Sequence, residues 1–441
     1  MKKVRLRELC LPEHIGKYGI PASAEKFSEE KVRYLRISDI DDKGNLLNND
    51  KKSVSSDDLD KYILNDGDIV FARTGNSTGR TYFHEDKNGV LAFAGFLIKY
   101  GLDYNKVNPK FLKYFTISEE YKQWVKNLST GSTRGNINAQ TFADCPIPLI
   151  KRNQQDLLVK VLSALDDKIE LNNKINAELE AIAKTLYDYW FVQFDFPNAE
   201  GKPYKSSGGE MIYDEVLKRE IPKGWEVKNL GDLSAFKNGI NYNPKEKGDS
   251  LARIINVRNI SKSTIFIENE YLDELELNQI EINKYLVDDR SIIIARSGTP
   301  GATRLIRGYK TNTIYCGFII CLTVTNIENL NLLYFNLKDF EKNITSQSNG
   351  TIMQNVNQQV LISFNVILPE SKILETFNLQ IDNIFQKILN NSQQNQELAS
   401  LRDWLLPMLM NGQVKVVEAY KEVEEKLGMV AEGEVDYKLT K

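Results

Sequence analysis

The sequence predicts a mixed α/β (α+β) fold in which two similar domains are separated by two long antiparallel coiled-coil helices. Three observations predict it. The 441-residue chain repeats itself after about 220 residues, far beyond the roughly 20–50 residues of a solenoid or propeller unit, so a whole domain is duplicated. GDIVFARTG at 67–75 returns as RSIIIARSG at 290–298, AGFLI at 94–98 as CGFII at 316–320, and GSTRGNINAQ from Gly131 as GTIMQNVNQQ from Gly350. Each copy also has apolar β-rich runs (IVFAR and VLAFAGFLIKY; IIIAR and IYCGFIICLTV) ahead of a helical stretch at 109–127 or 330–345. Finally, each copy leads into a long heptad pattern. Two similar domains in one polypeptide can engage two sites at a fixed separation.

The elements follow in order. The first domain spans 1–150 and closes with the strand-like CPIPLI, and a long helix covers 151–192. Residues 193–224 (QFDFPNAEGKPYKSSGGEMIYDEVLKREIPKG) form a polar connection punctuated by Gly and Pro. The second domain, 225–370, opens with WEVKNLGDL, an echo of VRLREL at the N-terminus, and ends at FNVILPE. A second long helix covers 371–412 with Gly412 as its stop, and 413–441 is an acidic, weakly helical tail.

Both long helices carry a coiled-coil seam. In the first its positions are Leu158, Leu162, Leu165, Ile169, Asn172, Asn176, Leu179, Ala183, Leu186 and Trp190. Moved 219 residues on, the same ruler lands on Phe377, Ile381, Ile384, Ile388, Asn391, Asn395, Leu398, Arg402, Leu405 and Leu409. This alternating three-and-four spacing is the heptad signature. Antiparallel packing sets Asn172 and Asn176 against Asn391 and Asn395. Seam asparagines fix register at some cost in stability, since a slip leaves amides without partners. The alternative is two amphipathic helices that each pack on their own domain.

Composition fits a large protein with ample cores. No stretch approaches the ~18 apolar residues of a membrane span, and MKKVRLRELCLPEH lacks the apolar run of a signal peptide. Cys10, Cys145, Cys316 and Cys321 form no CxxC pair, which argues against zinc and against a disulfide framework and fits a reducing cytoplasm. Cys145 and Cys316 read as core packing. The net charge is −3, yet residues 1–150 hold 23 basic against 20 acidic groups, whereas 371–441 hold 8 against 11. The helices and tail carry the negative excess. Any contact with a polyanion must therefore come from local Arg and Lys placement.

Catalytic chemistry is nearly absent. The two histidines, His14 and His84, lie in the first copy without counterparts in the second, and both read as surface residues. No G-x-x-x-x-G-K-[ST] phosphate loop occurs. TGNSTG at 74–79 ends in Arg80 and reads as a polar turn, and neither aromatic Asn-Pro-Pro nor Asp-Pro-Pro tetrapeptide of amino-methyltransferases is present.

The loops instead offer recognition chemistry. Arg73, Thr74, Asn76, Ser77, Thr78 and Arg80 leave a strand on a turn, and Arg134, Asn136, Asn138 and Gln140 precede the first long helix. Their counterparts in the second copy are Arg296, Ser297, Thr299 and Arg304, then Gln354, Asn355, Asn357 and Gln359. Arg can bind guanine bidentately and Asn or Gln adenine, while the same side chains also make backbone contacts or simply stabilise turns. Residues shared by both copies (Arg73 and Arg296, Gly75 and Gly298, Asn136 and Asn355, Asn138 and Asn357) are read as holding the scaffold or phosphates. The stretches that differ, 41–65 and 76–89 against 261–287 and 299–312, are free to read different sequences.

At this point a resemblance enters. Domains ending in GSTRGNIN and GTIMQNVN before a long helix, YDYWFVQFDFP with GKPYKSSGGEM and REIPKGWEVKNLGDL after the first helix, and LRDWLLPMLMNGQVKV after the second, resemble the specificity subunits of type I restriction-modification systems. The resemblance reaches to about residue 417 and is weaker inside the domains. It implies two target recognition domains that each bind half of a bipartite double-stranded DNA site, with an antiparallel helical spacer between them. It further implies two docked methyltransferase subunits and restriction (translocase-nuclease) subunits. S-adenosylmethionine, ATP and Mg²⁺ would then sit on those partners and none on this non-catalytic chain. Phe191 and Trp404, with Tyr187, Tyr189 and Leu406, lie off the seam and are candidates for the partner interface, the alternative being packing against the adjacent recognition domain. Two other readings remain: the recognition subunit of a type II-like methyltransferase-endonuclease, and a stand-alone tandem DNA-binding regulator.

Overall fold

The structure, a computed structural model, describes residues 3–48, 50–129, 136–243, 248–346 and 355–410. Arg134, Gln354, the expected stop at Gly412 and the tail 413–441 lie outside these described residues. The chain divides into two compact units, Met1–Asn172 with Gln393–Lys441, and Asn173–Ser392.

In the first unit a four-stranded antiparallel sheet runs in the order Lys17–Tyr18, Leu97–Gly101, Asp68–Ala72, Thr81–Phe83. Its strand Asp68–Ala72 is buried along its whole length. Successive side chains of a strand point to opposite faces. Ile69 and Phe71 accordingly join a core with Tyr100, Phe111 and Tyr121, while Val70 and Ala72 join another with Leu35 and Phe93. A second sheet, Glu25–Lys26, Lys52–Ser53, Arg33–Leu35 and Leu91–Phe93, includes a parallel pair between its last two strands. The run VLAFAGFLIKY is therefore two strands in two sheets, broken by a turn at 94–96. Within the first sheet Lys99 and Asp68 form a buried ion pair at 3.0 Å.

The second unit repeats this arrangement. Its main sheet has the order Ser234–Asn238, Ile319–Val324, Ser291–Ala295, Thr303–Leu305. Its second sheet again has a parallel pair, Ser250–Ile255 with Thr313–Tyr315. Both lobes close the same way: Lys3–Arg5 pairs antiparallel with Pro146–Pro148, and Glu226–Asn229 with Asn365–Leu368. They differ in the helical stretch that follows the sheets. In the second lobe it is one helix, Leu330–Ser346. In the first it splits into Pro109–Ile117 and Glu119–Ser129 at Ser118, whose backbone is extended and whose hydroxyl donates to the Phe115 carbonyl at 2.6 Å.

The long helices span Arg152–Tyr187, continuing as a π-helical turn at Asp188–Val192, and Ser371–Met410. Within the first unit Leu158, Leu162 and Leu165 share a core with Leu398, Leu405, Leu409 and the lobe itself. Within the second, Ala183 and Trp190 share one with Phe377, Ile381 and Ile388, again with the lobe. Within each unit the helices thus pack on each other and on the lobe. Two polar pairs between the helices in the first unit run antiparallel: Asp166, beside the seam, with Arg402 at 2.9 Å and the seam residues Asn172 and Asn395 at 2.9 Å. In the second unit Asn391 donates to Asn176 Oδ1 at 2.8 Å.

The connection after the first helix is less polar in space than in sequence. Phe194 and Phe196 are buried around Trp225 with ring centroids 5.6 and 4.9 Å away, and Met211–Asp214 pairs with Arg219–Pro222 as a hairpin. His84 corrects the sequence reading. It is buried rather than on the surface, at the end of strand Thr81–Phe83, with Nδ1 3.4 Å from the Tyr82 hydroxyl. All four cysteines are free and buried.

Candidate nucleic-acid interface

In each lobe the A-R-[TS]-G segment leaves the central strand as a tight turn. Gly79 N–H returns to the Ala72 carbonyl at 2.8 Å, and Gly301 N–H to Ala295 at 2.9 Å. These glycines have positive φ, +88° and +81°, and a Cβ on either would press on the following helix, at Val125 or Ile344. Only glycine meets both demands. The buried Tyr121 hydroxyl also donates to the Gly79 carbonyl at 2.8 Å, and burial pushes that phenol well above its ordinary value, so it stays neutral.

The arginines at the mouth of the turn are mounted identically. Arg73 N–H donates to the Phe96 carbonyl at 3.0 Å, and the Arg73 carbonyl accepts from Ile137 at 2.9 Å. Arg296 does the same with Phe318 and Val356, both at 2.9 Å. Strand-like pairing thereby brings the two predicted loops of each lobe together, with Thr74 bridged to Asn136. The guanidinium of Arg73 lies 5.0 Å over the Tyr18 ring with Nε 3.4 Å from Asn136 Oδ1, whereas Arg296 reaches the Gly317 carbonyl at 3.2 Å.

The remaining candidates divide by what holds them. Asn76, Thr299, Asn136 and Asn355 are exposed, and Ser77, Thr78 and Ser297 are half-buried. Thr78 closes the turn on the Gly75 carbonyl at 2.7 Å, and Thr299 meets Ser261 Oγ at 3.3 Å. Asn138 and Asn357 cap short helices, their side-chain oxygens accepting from Thr141 and Val360 at 2.9 and 3.0 Å. Gln140 and Gln359 are exposed just inside those helices. Arg80 is tied to Asp42 at 2.6 Å and to the Ile40 carbonyl at 3.2 Å.

Arg304 is a correction to the sequence reading. The second turn closes at Gly301, so Arg304 falls not on the turn but within strand Thr303–Leu305, opposite Ile293, where the first lobe places Tyr82 opposite Val70. It is 7% exposed and donates to the Ser263 and Thr303 carbonyls, both at 2.7 Å. Phe191 is likewise internal, with Phe377 and Trp225 rings 4.7 and 5.7 Å away, while Trp404 is 48% exposed. Sequence reading missed the exposed rings Phe96 and Phe318, which sit inside apolar runs.

Comparison with known proteins decides what these lobes are. The sequence model described as the type I restriction modification DNA specificity domain matches residues 1–181 and again 222–400. The chain belongs to that family. It is 30% identical over 320 residues to the type I restriction enzyme MjaIX specificity subunit of Methanocaldococcus jannaschii, covering 71% of this chain and 70% of that one. To the HindI specificity subunit of Haemophilus influenzae it is 25% identical over 414 residues, covering 80% and 88%. The crystal structure of a type I restriction-modification S subunit from M. genitalium shares the fold, with a TM-score of 0.50 at 16% identity over 92% of this chain and 95% of that one.

Type I specificity subunits supply DNA sequence recognition and are themselves non-catalytic. Among the described residues no group of His, Cys, Asp and Glu could hold a metal ion, and no helix is long and apolar enough to cross a membrane.

Proposed function

We propose that each lobe reads one half of a bipartite double-stranded DNA target, with 1–150 and 225–370 as the recognition domains, 193–224 as their linker, and the helices of 151–192 and 371–412 setting the spacing. One observation carries this reading. The recognition turn is mounted by the same hydrogen bonds in both lobes, at Arg73 and at Arg296, yet its sequence differs, with Asn76 exposed ahead of Ser77 and Thr78 in one and Thr299 exposed ahead of Pro300 in the other. A common frame with different surface groups suits two readers of different half-sites, since frame residues position the protein and base-edge contacts specify sequence.

On this reading two methyltransferase subunits and the restriction subunits dock on the chain in the cytoplasm, and they bind S-adenosylmethionine, ATP and Mg²⁺. The exposed Trp404 is the candidate anchor for one of them. Methylation-sensitive sequencing of the host genome, with the chain deleted and restored, tests the proposal. A two-part motif that disappears and returns supports it. Methylation that persists without the chain, or a single uninterrupted motif, contradicts it. Copurifying methyltransferase would separate this function from a stand-alone regulator.

A further inference from the structure

The turn between the two sheets of each lobe carries a phenylalanine in the open. Phe96 is 59% exposed and Phe318 64%, although the strands on either side are buried almost throughout. The turns are clamped by matching sets of backbone hydrogen bonds. Leu97 N–H donates to Ala94 at 2.8 Å and Ile319 to Cys316 at 2.9 Å. Gly95 N–H donates to Ile20 at 2.9 Å and Gly317 to Ile240 at 2.7 Å. Ile20 N–H donates to Phe93 and Ile240 to Tyr315, both at 2.9 Å. The strand lying over each turn comes so close that a Cβ on Gly19 or Gly239 would sit 2.2 Å from a backbone carbonyl oxygen. Such closeness restricts both positions to glycine.

A fixed turn that holds a large apolar ring in water, twice over at equivalent places, has no internal packing to explain it. Scattered exposed apolar residues need no explanation singly, but matched ones on matched frames do. The carbonyl of each phenylalanine holds the N–H of the arginine that opens the recognition turn, Arg73 or Arg296, so ring and cation are mounted on one rigid edge. We propose that Phe96 and Phe318 press against the DNA duplex as the sequence-independent apolar contact of each recognition domain. An identical group in both lobes cannot distinguish two half-sites. It contributes equally to each, as apolar wedges do in other duplex-binding proteins. The inference rests on the proposed DNA-reading function of the lobes.

The test uses the full chain assembled with its methyltransferase subunits. The probes are a short duplex carrying the methylated motif and a scrambled duplex of equal length. Phe96→Ala and Phe318→Ala should each weaken binding to both duplexes by about tenfold, through lost burial of the ring. Melting temperature should not change, and neither should the slope of affinity against salt, because a ring releases no counterions. Phe96→Trp should keep near-normal affinity. Unchanged binding by the double alanine variant overturns the proposal while leaving the DNA-reading function intact. Loss of methyltransferase from the purified variants also overturns it, since the rings would then belong to a subunit interface. If the unmutated assembly fails to prefer the motif duplex, the recognition reading falls and this inference with it.

Discussion

Asn172 donates its side-chain amide to Asn395 Oδ1 at 2.9 Å and to Gln394 Oε1 at 2.6 Å, a polar layer at the seam position where the heptad ruler places asparagine in both helices. Asn172 is 1% exposed, so its amide depends on these partners rather than on water. Asn172→Ala should cost about 1–3 kcal/mol in urea unfolding, because it removes a buried donor from two partly buried amide acceptors. Replacing both Asn172 and Asn395 with Leu should recover most of that loss. A neutral single variant would remove this layer from the determinants of register.

Arg304 and Asn76 should separate cleanly. Arg304→Ala breaks bonds to two buried carbonyls and leaves Glu341 without that guanidinium 3.4 Å away. A loss of about 3 kcal/mol is expected, with the methylated motif unaltered. Asn76→Ala, on the exposed turn, should leave stability within about 0.5 kcal/mol and relax base preference in one half-site. Calorimetry and methylation sequencing of both variants check the contrast.

The two aromatic residues first grouped as partner contacts should behave oppositely. Phe191→Ala empties a site among Trp190, Trp225 and Phe377 and should cost about 3–5 kcal/mol. Trp404→Ala should barely shift the unfolding midpoint yet reduce copurifying methyltransferase. If methyltransferase binding survives the loss of Trp404, the anchor lies elsewhere.

His84 gives the first lobe a pH dependence. Burial lowers its pKa, only partly opposed by Asp68, Asp86 and Asp66. The unfolded chain then binds more protons than the folded one between the lowered value and about 6.5, so stability rises with pH there. Its contribution is fully present above about pH 6.5 and is lost as pH falls through the folded value. Thermal melts of the chain and of His84→Gln should diverge on the alkaline side and converge in acid. Parallel curves across the range would show that His84 does not titrate on unfolding.

Much of this architecture was legible because duplication doubles every signal. Matching A-R-[TS]-G and G-F pairs located the same strands and turns twice, and the heptad ruler found the facing asparagines. What escaped depends on three-dimensional offsets. Arg304 stands close in sequence to the shared A-R-[TS]-G turn and reads as part of it, yet the turn closes at Gly301 and Arg304 lies on the strand that follows. An apolar run such as VLAFAGFLIKY reads as continuous core, so neither its break between two sheets nor the exposure of Phe96 shows in its composition. His84 reads as a surface residue because it has no counterpart in the second copy, whereas its burial comes from its place at the end of the preceding strand. Ser118 divides a helix that local propensity would have carried through.

The most direct test of the central claim is a domain exchange read by methylation sequencing. Residues 1–150 would be replaced by the equivalent domain of a related specificity subunit with a different target, and the host genome sequenced for modified bases. Two separate readers predict a motif with one new half-site, the other half-site unchanged and the spacing retained. A motif altered in both halves, or an intact original motif, would contradict the assignment of one half-site to each lobe.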